Sequence, residues 1–383
     1  MRVFKEKGFT AERADGSLTE EALAEIISNY VMLGIRSKTR ITRPILEAAT
    51  NLQAIGSFCI GTDTIDLNAC LDHGIPVFNA PHSNTRSVAE LAIGEMIMLA
   101  RRTFDKSMHM HEGLWNKTAE GCHELRGLCL GIVGYGHIGS QLSILAELFG
   151  MDVLYYDIAH MQNYGNAVPC KTLDELLQRA DFVSLHVSGE KRNKDFFGEA
   201  QFSKMKKGSY FLNLSRGFVV DILALRKHIE NGRLAGAAVD VFPQEPEKGK
   251  FNCGLMGLPN VILTPHDAGN TREAQVAIAR HVPSMLATYM ATGNTSLSVN
   301  FPRLALEPVK DAHRFIHIHN NVPGIMAKIN NVFSKNKINI LAQHLKTNDR
   351  IGYAIADVNK QYNPEIVQDM NKIPDTIKVR VLY

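Results

Sequence analysis

The chain lacks most of the features that would mark a specialised protein class. Its 383 residues contain six cysteines, Cys59, Cys70, Cys122, Cys129, Cys170 and Cys253. None is spaced from another as C-x-x-C, and none joins a Cys/His cluster, so neither a zinc module nor a disulfide scaffold is expected, and no metal. Charge of one sign is also lacking: 42 Lys and Arg stand against 39 Asp and Glu, a net +3. That excess is too small to hold nucleic acid or an anionic membrane. Long hydrophobic runs are missing as well. The apolar stretch Leu91–Ala100 is interrupted by Glu95 and falls short of the roughly 20 residues that span a bilayer. The opening MRVFKEKGFTAERADG has no apolar leader core. A cytoplasmic location follows as an expectation, with no membrane and no nucleic-acid partner. There is no internal repeat and no low-complexity tract.

What is present is the composition of packed cores, 45% hydrophobic and 21% charged, in a chain long enough for two or three domains. Short apolar runs alternate with helical patterns from the start. Val31–Ile35, Leu52–Ile55 and Pro76–Asn79 read as strands, with helices at Thr19–Ser28, Ile45–Ala49 and Ile65–Asp72 between them. A long helix is expected over Thr85–Arg102. A second α/β series follows, with strands at Leu128–Val133, Val153–Tyr156, Val168, Phe182–His186, Tyr210–Asn213, Gly236–Val241 and Val261–Thr264. Asn270–Thr292 reads as one helix and Gly293–Asp311 as a linker. The last segment orders as βαββαβ, the pattern of a small ferredoxin-like domain.

The string GIVGYGHIG places Gly134, Gly136 and Gly139 in G-x-G-x-x-G spacing. Alone it is a weak signal. Here the strand LCLGIV precedes it, the helix SQLSILAELFG follows, and the next strand ends in Asp157. That unit is built for a dinucleotide: a tight turn at Gly134, close pyrophosphate approach at Gly136, helix–strand packing at Gly139, and phosphate over the helix N-terminus. A carboxylate at Asp157 accepts ribose hydroxyls and repels a 2′-phosphate, which selects NAD over NADP.

Three later segments end strands with residues suited to catalysis: NLSRG with Asn213, Ser215 and Arg216, VDVFPQEP with Asp240 and Glu245, and LTPHDAGN with His266. Ligands of open α/β sheets sit beyond the carboxyl ends of strands, where these residues converge. His266 suits proton exchange with a hydroxyl. Glu245 suits the support of its second nitrogen, and Arg216 the bidentate capture of a substrate carboxylate.

At this point the chain resembles the D-isomer-specific 2-hydroxyacid dehydrogenases, in the long form that carries a C-terminal ACT domain. The segments that carry the likeness are IGSFCIGTDTIDL, GIPVFNAPHSNTRSVAELAIGE, RGLCLGIVGYGHIGSQL, NLSRGFVVDI, LAGAAVDVFPQEP, NVILTPH and FIHIHNNVPGIMAKINNVF. They run through nearly the whole chain. The resemblance implies an α/β fold with a doubly wound, parallel-sheet NAD domain (83–270). It implies a discontinuous flavodoxin-like substrate domain (1–82 and 271–306) and an ACT-like regulatory domain (312–383). It implies catalysis by Arg216, Glu245 and His266. NAD contacts are implied at Gly134, Gly136, His137, Ile138, Gly139, Asp157, Leu214, Ser215, Arg216, Asp240, His266, Asp267, Ala268 and Gly269. Substrate contacts are implied at Arg36, Ser37, Lys38, Ser57, Cys59, Asn84 and Lys117. An L-serine effector site is implied at His319, Asn321 and Asn339. The implied reaction is NAD-dependent oxidation of 3-phosphoglycerate to 3-phosphohydroxypyruvate in a homotetramer, with Trp115 packed against a neighbouring subunit. Another D-2-hydroxy acid such as 2-hydroxyglutarate is the alternative substrate, and a non-catalytic NAD-sensing regulator is the alternative class.

The chain departs from the family pattern in three places. Asp267 follows His266 where an aliphatic or small residue is usual, and is expected to retune the histidine. Ser188 replaces a proline after His186-Val187. Relatives begin with a further strand and helix ahead of the equivalent of Thr19, so the substrate domain is expected to lack its first strand and to leave a backbone edge unpaired.

Overall fold

A computed structural model describes residues 2–246, 249–359 and 364–382. The chain divides into two compact units, Met1–Ser83 with Val276–Tyr383, and Asn84–Gln275. None of the helices among the described residues is long and apolar enough to cross a membrane.

The first unit opens with three parallel strands in the order β1 (Met32–Ile35), β2 (Ala54–Ser57) and β3 (Val77–Phe78). The helices between them are started by local chemistry. Thr19 accepts from the Ala22 amide, and Asp66 accepts from the Ala69 amide at 2.8 Å, each satisfying an orphan N–H of a first turn. The short helix Arg2–Glu6 precedes them. Within the described residues β1 pairs only with β2, so β1 is an edge strand.

The second unit holds β4 (Cys129–Val133), β5 (Asp152–Tyr156), β6 (Val168–Pro169), β7 (Phe182–Leu185), β8 (Ser209–Asn213), β9 (Leu234–Val239) and β10 (Val261–Leu263). They form one parallel sheet in the order β10-β9-β8-β7-β4-β5-β6. The central strands β7 and β8 are buried at every residue, because helices cover both faces of a parallel sheet. Chain order reverses between β4 and β7, which makes their carboxyl ends the crevice of this fold.

Two expected elements end early here. The helix expected over Thr85–Arg102 stops at Arg101, because Arg102 adopts a left-handed conformation with φ 52°; a separate helix, Thr103–His111, follows. The strand expected over Gly236–Val241 ends at Val239, since the Asp240 side chain is drawn into bonds with the neighbouring turn.

The chain then returns to the first unit through the helix Arg272–Thr292. Pro283 lies inside it and removes one backbone donor. Val282, Leu286 and Tyr289 are wholly buried around that site, and their packing holds the helix across the gap. The last strands are β11 (Ala312–Asn320), β12 (Ile340–Thr347), β13 (Ile351–Asn359) and β14 (Thr376–Leu382). They form an antiparallel sheet in the order β12-β13-β11-β14, with helices at Ile325–Lys335 and Glu365–Asn371. The first of these helices buries Ile325, Ile329 and Phe333, one face at four-residue spacing. One core joins the two parts of this unit: Val282, Leu286, Tyr289 and Phe301 pack with Ile316, Ile318 and Tyr353.

Arg314 on β11 is wholly buried and faces Asp357 in register on β13. Its Nε and one Nη donate to the Asp357 carboxylate at 2.7 and 2.8 Å. Its other donors reach the carbonyls of Thr292 (2.8 Å), Leu306 (3.1 Å) and Glu307 (2.8 Å). All five guanidinium N–H groups are thereby used. They tie the end of the long helix and the linker to the last sheet.

Candidate active site

The glycine loop lies where β4 meets the switch point. Gly134 takes φ 92° and its amide donates to Tyr156 O at 2.9 Å. A Cβ there would lie 2.6 Å from the His186 carbonyl oxygen, whereas a Cβ on Gly136 would meet nothing within 4 Å. The loop is thus closed against its own sheet and open on the side of Gly136. The helix His137–Leu148 begins directly after Gly136, without a side-chain cap. The N–H groups of Ile138 and Gly139 in its first turn have no partner within the helix and suit an anion. At the end of β5, Asp157 is fixed by two amides, Tyr135 N at 2.8 Å and Ala159 N at 2.9 Å. An open face at Gly136, an uncapped helix start and a fixed carboxylate 21 residues beyond it fit the pyrophosphate and adenosine ribose of NAD.

The three catalytic candidates come from three neighbouring strand ends. Beyond β8, Asn213 Oδ1 accepts from Ser215 N (3.1 Å) and Ser215 Oγ (2.8 Å), and Asn213 Nδ2 donates to Arg216 O at 3.1 Å. This staples Leu214–Arg216 into one shape. Arg216 is half-buried and donates to Ser215 O. A Cβ on the next residue, Gly217, would collide with the Phe242 backbone, so the loops after β8 and β9 touch there. Beyond β9, Glu245 turns back to accept from Phe242 N at 3.0 Å.

Its other oxygen meets His266 Nδ1 at 2.8 Å. His266 itself is left-handed, at φ 54°, an uncommon and costly conformation for a non-glycine residue. It is held there because its amide donates to Asp240 O (2.8 Å) and Thr264 O (3.0 Å). The bond from Glu245 raises the His266 pKa above 6.5, against burial and the Arg216 charge. The Glu245 carboxyl is held below its usual range: burial opposes this, but the His266 bond, the Phe242 amide and the Arg216 charge prevail. Bonded at Nδ1, the ring presents Nε2 as its free working nitrogen.

Asp240 is the organiser of the 264–268 turn. Its buried carboxylate accepts from Thr264 Oγ1 (2.5 Å), Asp267 N (2.8 Å) and Ala268 N (3.1 Å). Gly269 follows, and the Asn84 side chain occupies the space that a Cβ on it would need. Asp267 is exposed and its carboxylate accepts from Asn270 Nδ2 at 2.7 Å. The charges that act on His266 are those of Glu245, Asp240 and Arg216, so the expected retuning by Asp267 finds no support. His186, at the end of β7 opposite Gly134, was not anticipated from sequence. Burial pushes its pKa down to about 4. Its Nε2 pairs with Ser184 Oγ at 2.9 Å, and its Nδ1 has no partner among the described residues. Its position at the switch point was the available signal.

The remaining candidates lie on other parts of the chain. Lys117 and Trp115 sit in an exposed loop, with Trp115 78% accessible. Arg36, Ser37 and Lys38 form an exposed turn after β1. Ser57 is buried at the end of β2. Its hydroxyl meets Cys59 Sγ at 3.0 Å and donates to Gly61 O, and Asn79 pins the loop through Ile60 O at 2.6 Å. His319 is buried on β11 and its Nδ1 lies 3.3 Å from that of His317. Asn321 donates to Asn348 O. Asn339 is elsewhere: His319 stands opposite Gly352 at one end of β13, whereas the Asn339 carbonyl bonds Asn359 at the other. At about 3.4 Å per residue, the seven residues from Gly352 to Asn359 put roughly 24 Å between them along the strand. One copy of the chain does not bring the three together. No group of three or more His, Cys, Asp or Glu side chains among the described residues forms a metal site.

Comparison with known proteins places this geometry. Residues 93–268 match the model of the D-isomer specific 2-hydroxyacid dehydrogenase NAD-binding domain, and residues 315–378 match that of the AHAS small subunit-like ACT domain. D-3-phosphoglycerate dehydrogenase of Dictyostelium discoideum is 48% identical over 385 residues, covering 100% of this chain and 94% of that protein. The enzyme of the same name from Escherichia coli is 46% identical over 388 residues, with 100% and 94% covered. Among solved structures, D-lactate dehydrogenase from Aquifex aeolicus, complexed with NAD and lactic acid, superposes with a TM-score of 0.68 at 26% identity. That match covers 79% of this chain and 96% of the other.

Proposed function

The chain belongs to the D-isomer-specific 2-hydroxyacid dehydrogenase family, and from that premise we propose that it oxidises 3-phospho-D-glycerate at C2 with NAD. The products are 3-phosphohydroxypyruvate and NADH, and the reaction is the first step of L-serine biosynthesis. The observation that carries this reading is the His266–Glu245 pair within the field of Arg216, in a chain similar over its whole length to enzymes named for that substrate.

The chemistry follows from the geometry. Held by the Gly134–Gly139 loop and Asp157, bound NAD would supply the hydride acceptor for C2. The chain's own task is then to hold the substrate and remove the hydroxyl proton. His266 accepts that proton at Nε2, and Glu245 stabilises the imidazolium that results. Arg216 holds the substrate carboxylate with two parallel N–H groups. Arg36, Ser37 and Lys38, with the Ser57–Gly61 loop, Asn84 and Lys117, are the groups we assign to the substrate. The cationic members suit a phosphate.

We assign 1–82 and 271–306 to substrate binding, 83–270 to NAD, and 312–383 to regulation by an amino acid. L-serine is the effector proposed, held by His319 and Asn321 of one chain and Asn339 of a second. The separation of Asn339 from His319 supports that sharing, and exposed Trp115 supports a further contact between copies, hence a homotetramer.

The test is direct. Purified protein should consume NADH with 3-phosphohydroxypyruvate, and His266→Ala should reduce turnover by at least about 10²-fold. NADH binding without turnover of any 2-oxo acid would leave a non-catalytic NAD sensor instead.

A further inference from the structure

Glu95 is a wholly buried acid that the reaction above does not use. It lies on the helix Thr85–Arg101 between Ile93 and Met96, and 0% of it is accessible. Neither carboxyl oxygen has a hydrogen-bond partner among the described residues. An unpaired buried carboxylate is too costly to persist, so such a group takes up a proton instead. Burial moves its pKa to about 8, and the second cause is the charge of Asp240. The helix packs against β9 and β10, and Asp240 follows β9 directly.

Other charged groups lie on the surrounding elements. They are Arg86, Glu90 and Arg101 on the same helix, Arg102 and Asp105 after it, and His137 and Glu147 on the helix His137–Leu148. His266 and Asp267 stand on the turn beyond β10. Asp240 is the charged group that acts on Glu95, and Asp240 itself carries the bonds that fold the 264–268 turn.

We propose that Glu95 is a positioning residue for the catalytic turn: a neutral acid that backs Asp240, and whose ionisation sets the alkaline limit of cofactor binding. While Glu95 is neutral, Asp240 carries the negative charge that faces it, and its three acceptor bonds hold Thr264, Asp267 and Ala268. Loss of the Glu95 proton places a second buried anion beside it. The repulsion falls on Asp240 and thus on the turn that presents His266 and the Ala268 and Gly269 amides. This inference rests on the NAD site proposed above.

The experiment measures the NADH dissociation constant by fluorescence and kcat with 3-phosphohydroxypyruvate, from pH 6.5 to 9.5, for wild type, Glu95→Gln and Glu95→Leu. In wild type, NADH affinity should fall about tenfold across a midpoint near pH 8, a loss equal to one unit of coupling. Both neutral variants should lose that midpoint, and the Gln variant should keep the neutral-pH affinity within about threefold. If it misfolds, the Leu variant reads the same limb with an apolar side chain. Superimposable pH profiles of affinity in wild type and either variant would overturn the proposal. An affinity defect in both variants that is equal at every pH would overturn it too, by making Glu95 merely structural. Failure of the underlying reading looks different: wild type itself would bind NADH and turn nothing over.

Discussion

Replacing Asp357 by Asn should destabilise the first unit by about 3 kcal/mol, and the reason lies in the Arg314 pocket. The side chains are 0% and 1% accessible and meet through two bonds, at 2.7 and 2.8 Å. Solvent therefore neither screens the pair nor replaces a lost partner. Asparagine keeps the shape and one acceptor but removes the charge. Three carbonyls, of Thr292, Leu306 and Glu307, remain around the cation, and they hydrogen-bond it without neutralising it. Breaking one side of such a buried pair typically costs about 3–5 kcal/mol, and the retained carbonyl bonds place this case at the low end. For a unit of roughly 190 residues that is a fall in Tm of about 6–12 °C. Scanning calorimetry gives the shift, and hydrogen exchange should localise the loss to β11, β13 and the 293–311 linker. The double variant Arg314→Met with Asp357→Leu removes both charges and should recover at least half of the lost stability, because the desolvation cost goes with the pair. A single-variant loss below about 1 kcal/mol, or a double variant no better than the single, would mean that the buried charge pair does not govern the stability of this sheet.

The pH dependence of turnover should follow His266. Its folded pKa is raised, so oxidation, which needs the neutral ring, should rise with pH through a midpoint above 6.5, and reduction should fall through the same midpoint. Glu245→Gln should move that midpoint down and cost about 10²-fold in kcat; an unmoved midpoint would remove Glu245 from its assigned role. The same linkage fixes a sign for stability. The His266–Glu245 bond contributes fully below pH 6.5 and is lost as pH rises through the raised value, which urea midpoints at pH 6 and pH 9 in wild type and Glu245→Gln would reveal. Gly217→Ala should drive its methyl into the Phe242 backbone, shift the Glu245 loop relative to Arg216, and lower kcat/KM about 10²-fold. A variant with wild-type kcat/KM would mean that this contact does not set the catalytic geometry.

Much of the site was legible in the sequence because its parts are local. The glycine spacing, the strand before it and Asp157 after it lie within one stretch of chain, and each residue's need there (a turn, a close approach, an acceptor) is set by its immediate neighbours. The strand ends that carry Arg216, Glu245 and His266 were readable for the same reason: polar residues directly after apolar runs mark the carboxyl edge of a parallel sheet. The βαββαβ order of the last segment was legible through its alternation of period.

What the sequence determined, then, was the set of elements, the cofactor loop and the identity of the reactive side chains. Tertiary structure decided what those side chains experience. The left-handed His266 depends on Asp240, 26 residues away in the chain. The clamp on Arg314 takes its anion from a strand formed 43 residues later. The separation of His319 from Asn339 comes from the antiparallel register of β13 with its two neighbours. Glu95, one polar letter in an apolar run, becomes a buried acid only because its helix is laid against β9 and β10. Electrostatics and burial are properties of what surrounds a group in space, and the surroundings of each of these groups are drawn from distant parts of the chain.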